Sequence, residues 1–194
     1  MNWNEDTLRQ DLSMLPDKKQ LAFALLVCER MMPGFSKFAR ETRFNIDFYR
    51  RCLEGIWHYL EGAGVSHLDL VASSKKCLDD APDTEEFDHH LTSAALNAAL
   101  SIAATMSFLI AHSVDRLIEA ARFAYDKAFL YAQPLDLAPH RSMNLKQIVE
   151  QPPVQDELRR QADDLAYLKS LPKNNSNELV DLIRERIANT PALP

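Results

Sequence analysis

Glycine is scarce in this 194-residue chain: there are 4, and none follows Gly64. Strand-rich folds draw on glycine for their turns, and no run of β-branched residues alternates with polar ones. The chain therefore reads as all-α. Cysteine is scarce as well. Cys28, Cys52 and Cys77 are odd in number and widely spaced, which argues against a disulfide framework or a zinc knuckle. Basic charge is not in excess, because the net charge is −6. A general nucleic-acid binder or a protein docked on anionic lipid needs a basic face, so neither partner is expected. The N-terminal MNWNEDTLRQD has no apolar stretch of the kind a signal peptide carries; a reduced, cytoplasmic protein is the expectation.

Catalytic signatures are missing too. There is no Gly-x-Ser-x-Gly elbow, glycine-rich phosphate loop, dinucleotide fingerprint or His-Glu-x-x-His, nor the pair of Glu-x-x-His helices that marks a di-iron bundle. No cofactor is implied, and the reading leans away from an enzyme.

What is present is helical periodicity, punctuated by Pro, Ser, Asn and Asp. Helices are predicted over residues 4–14, from Pro16-Asp17 to Met32, and briefly around Phe35, Phe38 and Ala39. The next runs from an Asn45 cap to Glu61 and stops at Gly62; another runs from Ser66 to Asp80. A longer one extends from a capping-box-like Asp83-Thr84-Glu85-Glu86 to Ala111, and a seventh from Ser113 to a stop at Pro134. From Pro134 onward, where seven of the 10 prolines fall, the segments shorten to 143–150, 154–170 and 177–189. Val154, Leu158, Ala162, Leu165 and Leu168 form one apolar stripe; Leu179, Leu182, Ile183 and Ile187 form another. Both should pack on the main bundle. The expected architecture is one multi-helix domain over 1–194. Its core is 16–133, with central buried helices, and the Pro-punctuated segment 134–190 packs on it.

Residues 94–111, AALNAALSIAATMSFLIA, carry no charge. The length approaches a membrane span. Asn97, Ser101, Thr105, Ser107 and seven alanines make it a weak one, and the centre of a soluble bundle is the better reading. Glu54, His58 and Glu61 share one helix face, and Glu85/His89, Glu86/His90 and His112/Asp115 add further acid–imidazole spacings. Such sets can ligate a metal, although helix-surface ion pairs explain them equally well. Cys28, among Leu25, Leu26, Val27 and Met31, reads as packing.

Charge is uneven along the chain. Residues 28–52 hold six bases (Arg30, Lys37, Arg40, Arg43, Arg50, Arg51) against three acids (Glu29, Glu41, Asp47). Arginines beside Phe44, Phe48 and Tyr49 could grip a carboxylate, a phosphate or an acidic partner. The alternative is cross-helix pairing with Glu29 and Glu54. Glu29, in the last turn of its predicted helix, is expected to pair with Arg50 or Arg51 and so lock two helices together.

The block LAFALLVCERMMPGFSKFARETRFNIDFYRRCLEGIWHYL, residues 21–60, resembles the YjaG-like family of bacterial proteins, a domain of unknown function of about this length. The likeness rests on Cys28-Glu29-Arg30-Met31, Pro33, Phe38, Tyr49-Arg50-Arg51, Leu53, Ile56 and Trp57, with the turn from Pro82 to Phe87-Asp88 farther on. The resemblance implies an all-helical cytoplasmic protein and adds no reaction. Arg30, Arg50 and Arg51 match the family pattern; Lys37, Arg40 and Arg43 do not. Asn97 stands where the family pattern has Asp, which weakens acid or metal chemistry on that helix.

Three functional readings follow. The first is a non-enzymatic module that binds a protein partner or another copy of itself. The second is a small-molecule or anion-binding bundle using Arg30, Tyr49 and Arg50. The third is a metal-dependent enzyme using Glu54, His58 and Glu61. Glu29, Arg30, Tyr49, Arg50, Arg51 and Glu54 form the candidate cluster.

Overall fold

A computed structural model describes residues 2–133, 143–172 and 176–190. Among them are nine helices and no strand: α1 (Glu5–Ser13), α2 (Asp17–Thr42), α3 (Asp47–Glu61), α4 (His67–Asp79), α5 (Thr92–Ala111), α6 (Val114–Ala132), α7 (Leu145–Val149), α8 (Pro152–Ser170) and α9 (Ser176–Asn189). Pro134, the expected stop of α6, lies outside the described residues. The protein is an all-α bundle.

Two helices expected on either side of Pro33-Gly34 are one. α2 runs unbroken through both residues. Proline has no N–H, so the rung to the carbonyl of Glu29 is lost. Pro33 is exposed, however, so that carbonyl lies on the watery side of the helix. The opposite side carries Cys28, Met31, Phe35 and Phe38, all buried. Their helical spacing needs a continuous α2, and burying them outweighs the missing bond.

A second correction concerns α5. It begins at Thr92, not near Asp83. Asp83 does accept a backbone N–H through its side chain, but from Glu85, 2.8 Å away, which makes a turn and not a cap. Asn45 likewise accepts from Asp47 N–H at 3.0 Å, while Ile46 occupies the cap position of α3.

α5 is the one described helix long and apolar enough to cross a membrane, yet 14 of its 20 residues are buried inside the bundle. Its hydroxyls join it to its neighbours. Ser101 donates to Ala120 O on α6 at 3.2 Å, and Ser74 on α4 donates to Ala103 O at 3.2 Å. Cys28 on α2 contacts both Ser101 and Thr105 at 3.4 Å. Alanines between these positions let α2, α4 and α6 approach closely.

The C-terminal helices cover this centre. Val154, Leu158, Leu165 and Leu168 bury one face of α8; Leu179, Val180 and Ile183 bury one face of α9. α8 packs on α2 and α6, and α9 on α2 and α3. Lys19, at the start of α2, donates to Leu168 O at 2.9 Å and Leu171 O at 2.5 Å. A lysine on carbonyls at a helix C-terminus satisfies orphan acceptors and meets the negative end of the dipole.

Two glycines test the helix assignments with opposite signs. Gly55 lies inside α3, and a Cβ there would meet nothing within 4 Å. Gly55→Ala should stabilise by about 0.5–1 kcal/mol. Gly62 ends the same helix in the left-handed region, at φ 97°. Gly62→Ala should destabilise by about 1 kcal/mol. Urea unfolding of both variants measures the pair.

Candidate functional site

The six residues singled out by charge and spacing do not form one cluster. Arg30 turns from α2 toward α8, where it bonds Glu157 (Nη2 to Oε1, 3.2 Å) and Asp164. Tyr49 turns into the core: it packs edge-on against Phe35 at 5.0 Å, and its hydroxyl reaches Cys77 O on α4 at 3.4 Å. Burial raises its pKa. Arg50 is exposed beside Asp47 and Ser36. Arg51 and Glu54 are exposed. Glu29 takes its hydrogen bond from Trp57 Nε1 on α3 at 2.7 Å, not from Arg50 or Arg51. The α2–α3 junction expected at Glu29 exists, but an indole makes it.

The acid–imidazole spacings resolve into ion pairs. His58 Nδ1 lies 3.1 Å from Glu61 Oε2, and Arg184 on α9 takes the other Glu61 oxygen at 2.8 Å. His112 faces Asp17 at 3.8 Å, while Asp115 bonds Arg9. Glu85, Glu86, His89 and His90 lie in turns between α4 and α5, not on a helix. Among the described residues, three metal-ligating side chains converge at Glu41, His89 and His90, with ligand atoms within 4.8 Å of one another. Leu91 N–H donates to His89 Nδ1 at 3.2 Å, which leaves the ring proton on Nε2, 3.0 Å from Glu41. Both nitrogens of His89 are thus engaged, and a metal would have to displace one bond.

The unusual chemistry lies between α2, α6 and α8. Arg30 sits at the centre of a buried network. Asp164 also accepts from Arg186 Nε on α9 at 2.7 Å, and Glu157 from Gln161 Nε2 at 2.8 Å. Gln161 in turn donates to Ala121 O on α6 at 3.0 Å. Burial works against the Arg30 charge, but the two carboxylates outweigh it and raise its pKa. Two side-chain nitrogens among the described residues are buried with no hydrogen-bond partner, Arg30 Nε and Arg160 Nη1.

Beside this network lies a cavity of about 370 Å³ lined by Arg30, Met31, Ala124, Lys127, Tyr131 and Pro152, among others. Lys127 is only 5% exposed. Among the described residues no carboxylate lies within ion-pair distance of its amine. The amine lies over the Tyr131 ring, 5.6 Å from its centroid. Burial lowers its pKa; Glu157 pulls the other way, while Arg160 and Arg30 repel the charge. Arg30 and Arg186 thus use the two carboxylates, Glu157 and Asp164, and Lys127 has no ion pair of its own beside them. Asp156 also lines the cavity but is engaged by Arg159 at 2.8 Å. α8 begins with two pyrrolidine rings, Pro152 and Pro153, so these two positions offer no N–H donor. The cavity is apolar-walled, and of its four charged lining residues, Arg30, Lys127, Asp156 and Glu157, Lys127 alone has no ion pair among the described residues, the form of a site for a small anion with an apolar body.

Sequence reasoning found Arg30 and missed Lys127, Glu157 and Asp164. Lys127 stands in Tyr-Asp-Lys-Ala-Phe on α6. Its spacing of three residues from Ala124 and seven from Ala120, which puts it on an apolar helix face, was the available signal.

These features define an all-helical protein with a buried ion network beside an apolar-walled cavity that holds an unpaired lysine. The chain belongs to the DUF416 family of proteins of unknown function, whose model matches residues 7–192. The uncharacterised protein YjaG of Salmonella typhimurium is 25% identical over 113 residues, which is 57% of this chain and 57% of that protein. YjaG of Escherichia coli is 22% identical over 148 residues, 75% of this chain and 74% of that protein. The chain thus aligns with little more than half the length of the Salmonella relative. A crystal structure of a DUF416 family protein from Shewanella baltica has the same fold, with a TM-score of 0.78 at 17% identity over 93% of this chain and 92% of that one.

Arg30 and Arg50 can be separated by mutation. Arg30→Ala leaves Glu157 without a cation and Asp164 with Arg186 alone, and should cost about 3–5 kcal/mol. Arg50→Ala removes an exposed pair and should change stability by less than about 0.5 kcal/mol. Chemical denaturation of the two variants gives the comparison.

Proposed function

We propose that this protein binds a small amphipathic anion in the cavity between α2, α6 and α8. The observation that supports it is Lys127, 5% exposed at the cavity wall and, among the described residues, without a carboxylate at ion-pair distance. A buried cation without a partner is unfavourable in the empty protein, and an anionic ligand would supply the missing charge. Arg30 lines the same cavity, and its Nε has no hydrogen-bond partner. Met31, Ala124, Ala128, Tyr131 and the two prolines suit a short alkyl or aryl body. The reading is binding and not catalysis: nothing at the site pairs a nucleophile with a base.

This reading takes precedence over a helix-face protein partner. The exposed large apolar side chains, Met14, Val71, Leu78, Leu130, Tyr131 and Leu145, come from four separate parts of the chain, and none is as specific a feature as the buried amine. A cytoplasmic location fits three cysteines without a disulfide framework.

The test compares medium-chain and aryl carboxylates with their alcohols by thermal shift and calorimetry. The carboxylates should raise the melting temperature and the alcohols should not. Lys127→Met should abolish that shift, and Arg51→Ala should keep it. Equal shifts from the alcohols, or persistence in Lys127→Met, would remove the proposal.

Acid–base behaviour provides a second check. The folded pKa of Lys127 lies below its unfolded value, so unfolding takes up a proton between the two and stability rises with pH across that window. At neutral pH, Lys127→Met should therefore raise the melting temperature of the empty protein, by about 2–4 °C. Carboxylate affinity of the natural protein should fall as pH is raised from about 7 to about 10, before a free lysine would lose its charge. A pH-independent affinity over that range would count against Lys127 as the anion's partner.

A further inference from the structure

The three thiols are of two kinds. Cys28 is sealed between α2 and α5, and burial pushes its pKa up to about 11. Such a thiol is neither ionised nor reachable. Cys52 on α3 and Cys77 on α4 are different. Their sulfurs are 3.8 Å apart, with Cys77 donating to Cys52. Cys77 is 0% exposed and Cys52 7%. Cys52 lines a second cavity, of about 240 Å³, between α3, α4 and α5, together with Arg51, Gly55, Asp69 and Ser73. Gly55 keeps that wall open, because nothing lies within 4 Å of where its Cβ would be. The Cys77 thiol and, to a smaller extent, the Arg51 guanidinium favour the thiolate of Cys52 against burial and lower its pKa. Donation to Cys52 and burial raise that of Cys77. The pair thus combines an attacking thiol on a cavity, a cation beside it and a second thiol in contact behind it.

We propose that Cys52 and Cys77 form a peroxide-sensitive dithiol, in which Cys52 is oxidised and Cys77 resolves it. The Cys52 thiolate attacks one oxygen of hydrogen peroxide. An S–O bond forms, the O–O bond breaks, and hydroxide leaves and takes up a proton to become water. Cys77 then attacks the sulfur of the Cys52 sulfenic acid. An S–S bond forms, the S–O bond breaks, and the departing hydroxide takes the Cys77 proton as a second water. Two thiols and one peroxide become one disulfide and two waters, and the two electrons pass from sulfur to peroxide. The sulfurs must close from 3.8 Å to about 2 Å, the length of an S–S bond. The product would be a covalent clamp between α3 and α4 at the base of the cavity, released by a dithiol reductant.

The experiment treats the reduced, purified chain with hydrogen peroxide and follows it by intact mass and peptide mapping. The expected product has lost two hydrogens, joins the Cys52 and Cys77 peptides, and is restored by dithiothreitol. Cys28→Ser should respond as the natural protein does. Cys77→Ser should stop at a sulfenic acid on Cys52 that dimedone traps; Cys77→Ala serves if the serine variant does not fold. Cys52→Ala should not react. The proposal is overturned if both thiols stay free in the folded protein under conditions that oxidise the urea-unfolded chain, or if Cys28 is the residue modified. The mapping of the natural protein decides this without any variant.

Discussion

A guanidinium taken into the interior at Arg30 constrains where the C-terminal helices lie. A buried cation is tolerated only with anions beside it. The chain provides them from a segment more than a hundred residues away, as Glu157 and Asp164 on α8. Lys19 holds the far end of α8 by its last carbonyls. Lys19 and Arg30 are eleven residues apart, as are Leu168 and Glu157, and their partners run in the opposite order. α2 and α8 are therefore antiparallel and locked in register at two points. Asp164 passes the constraint on by accepting from Arg186, which fixes α9. Arg186 also stacks over Tyr167, 4.6 Å from the ring.

That arrangement creates the cavity as a by-product of its charges. The carboxylates of Glu157 and Asp164 are used by the arginines, and Lys127 on α6 is left facing the same region without one of its own. An all-helical bundle with no such imbalance would have little reason to keep an amine at the cavity wall. The dithiol lies elsewhere, where α4 meets α3, and it does not depend on the charge network. The two features can therefore be altered separately, which keeps the binding proposal and the redox proposal independent.

Much of the helical framework was legible in the sequence. Gly62 ends α3 in the left-handed region as its position implied, and the stripe from Val154 to Leu168 packs on the bundle as its period required. Pro33-Gly34 misled because local breaker signals were weighed without the burial of Met31, Phe35 and Phe38, which only a continuous helix allows. Asp83 misled because the same side-chain bond serves a cap and a turn. Of the candidate cluster, Arg30 was found by the excess of bases over acids in residues 28–52. Its supposed companions, Tyr49 and Arg50, face other neighbours.

By itself, the sequence determined the helical class and most helix ends, because periodicity, caps and breakers act over a few residues. It also determined that α5 is unbroken by charge and that Arg30 stands at the edge of an apolar face. Which partner meets a buried charge was decided only by the tertiary structure. Glu29 could have met Arg50 but meets Trp57; Arg30 could have met Glu54 but meets α8. The physical reason is range. A helix face is written locally, whereas an ion pair in the interior depends on which distant helix covers it, and that choice is made by packing the whole core at once.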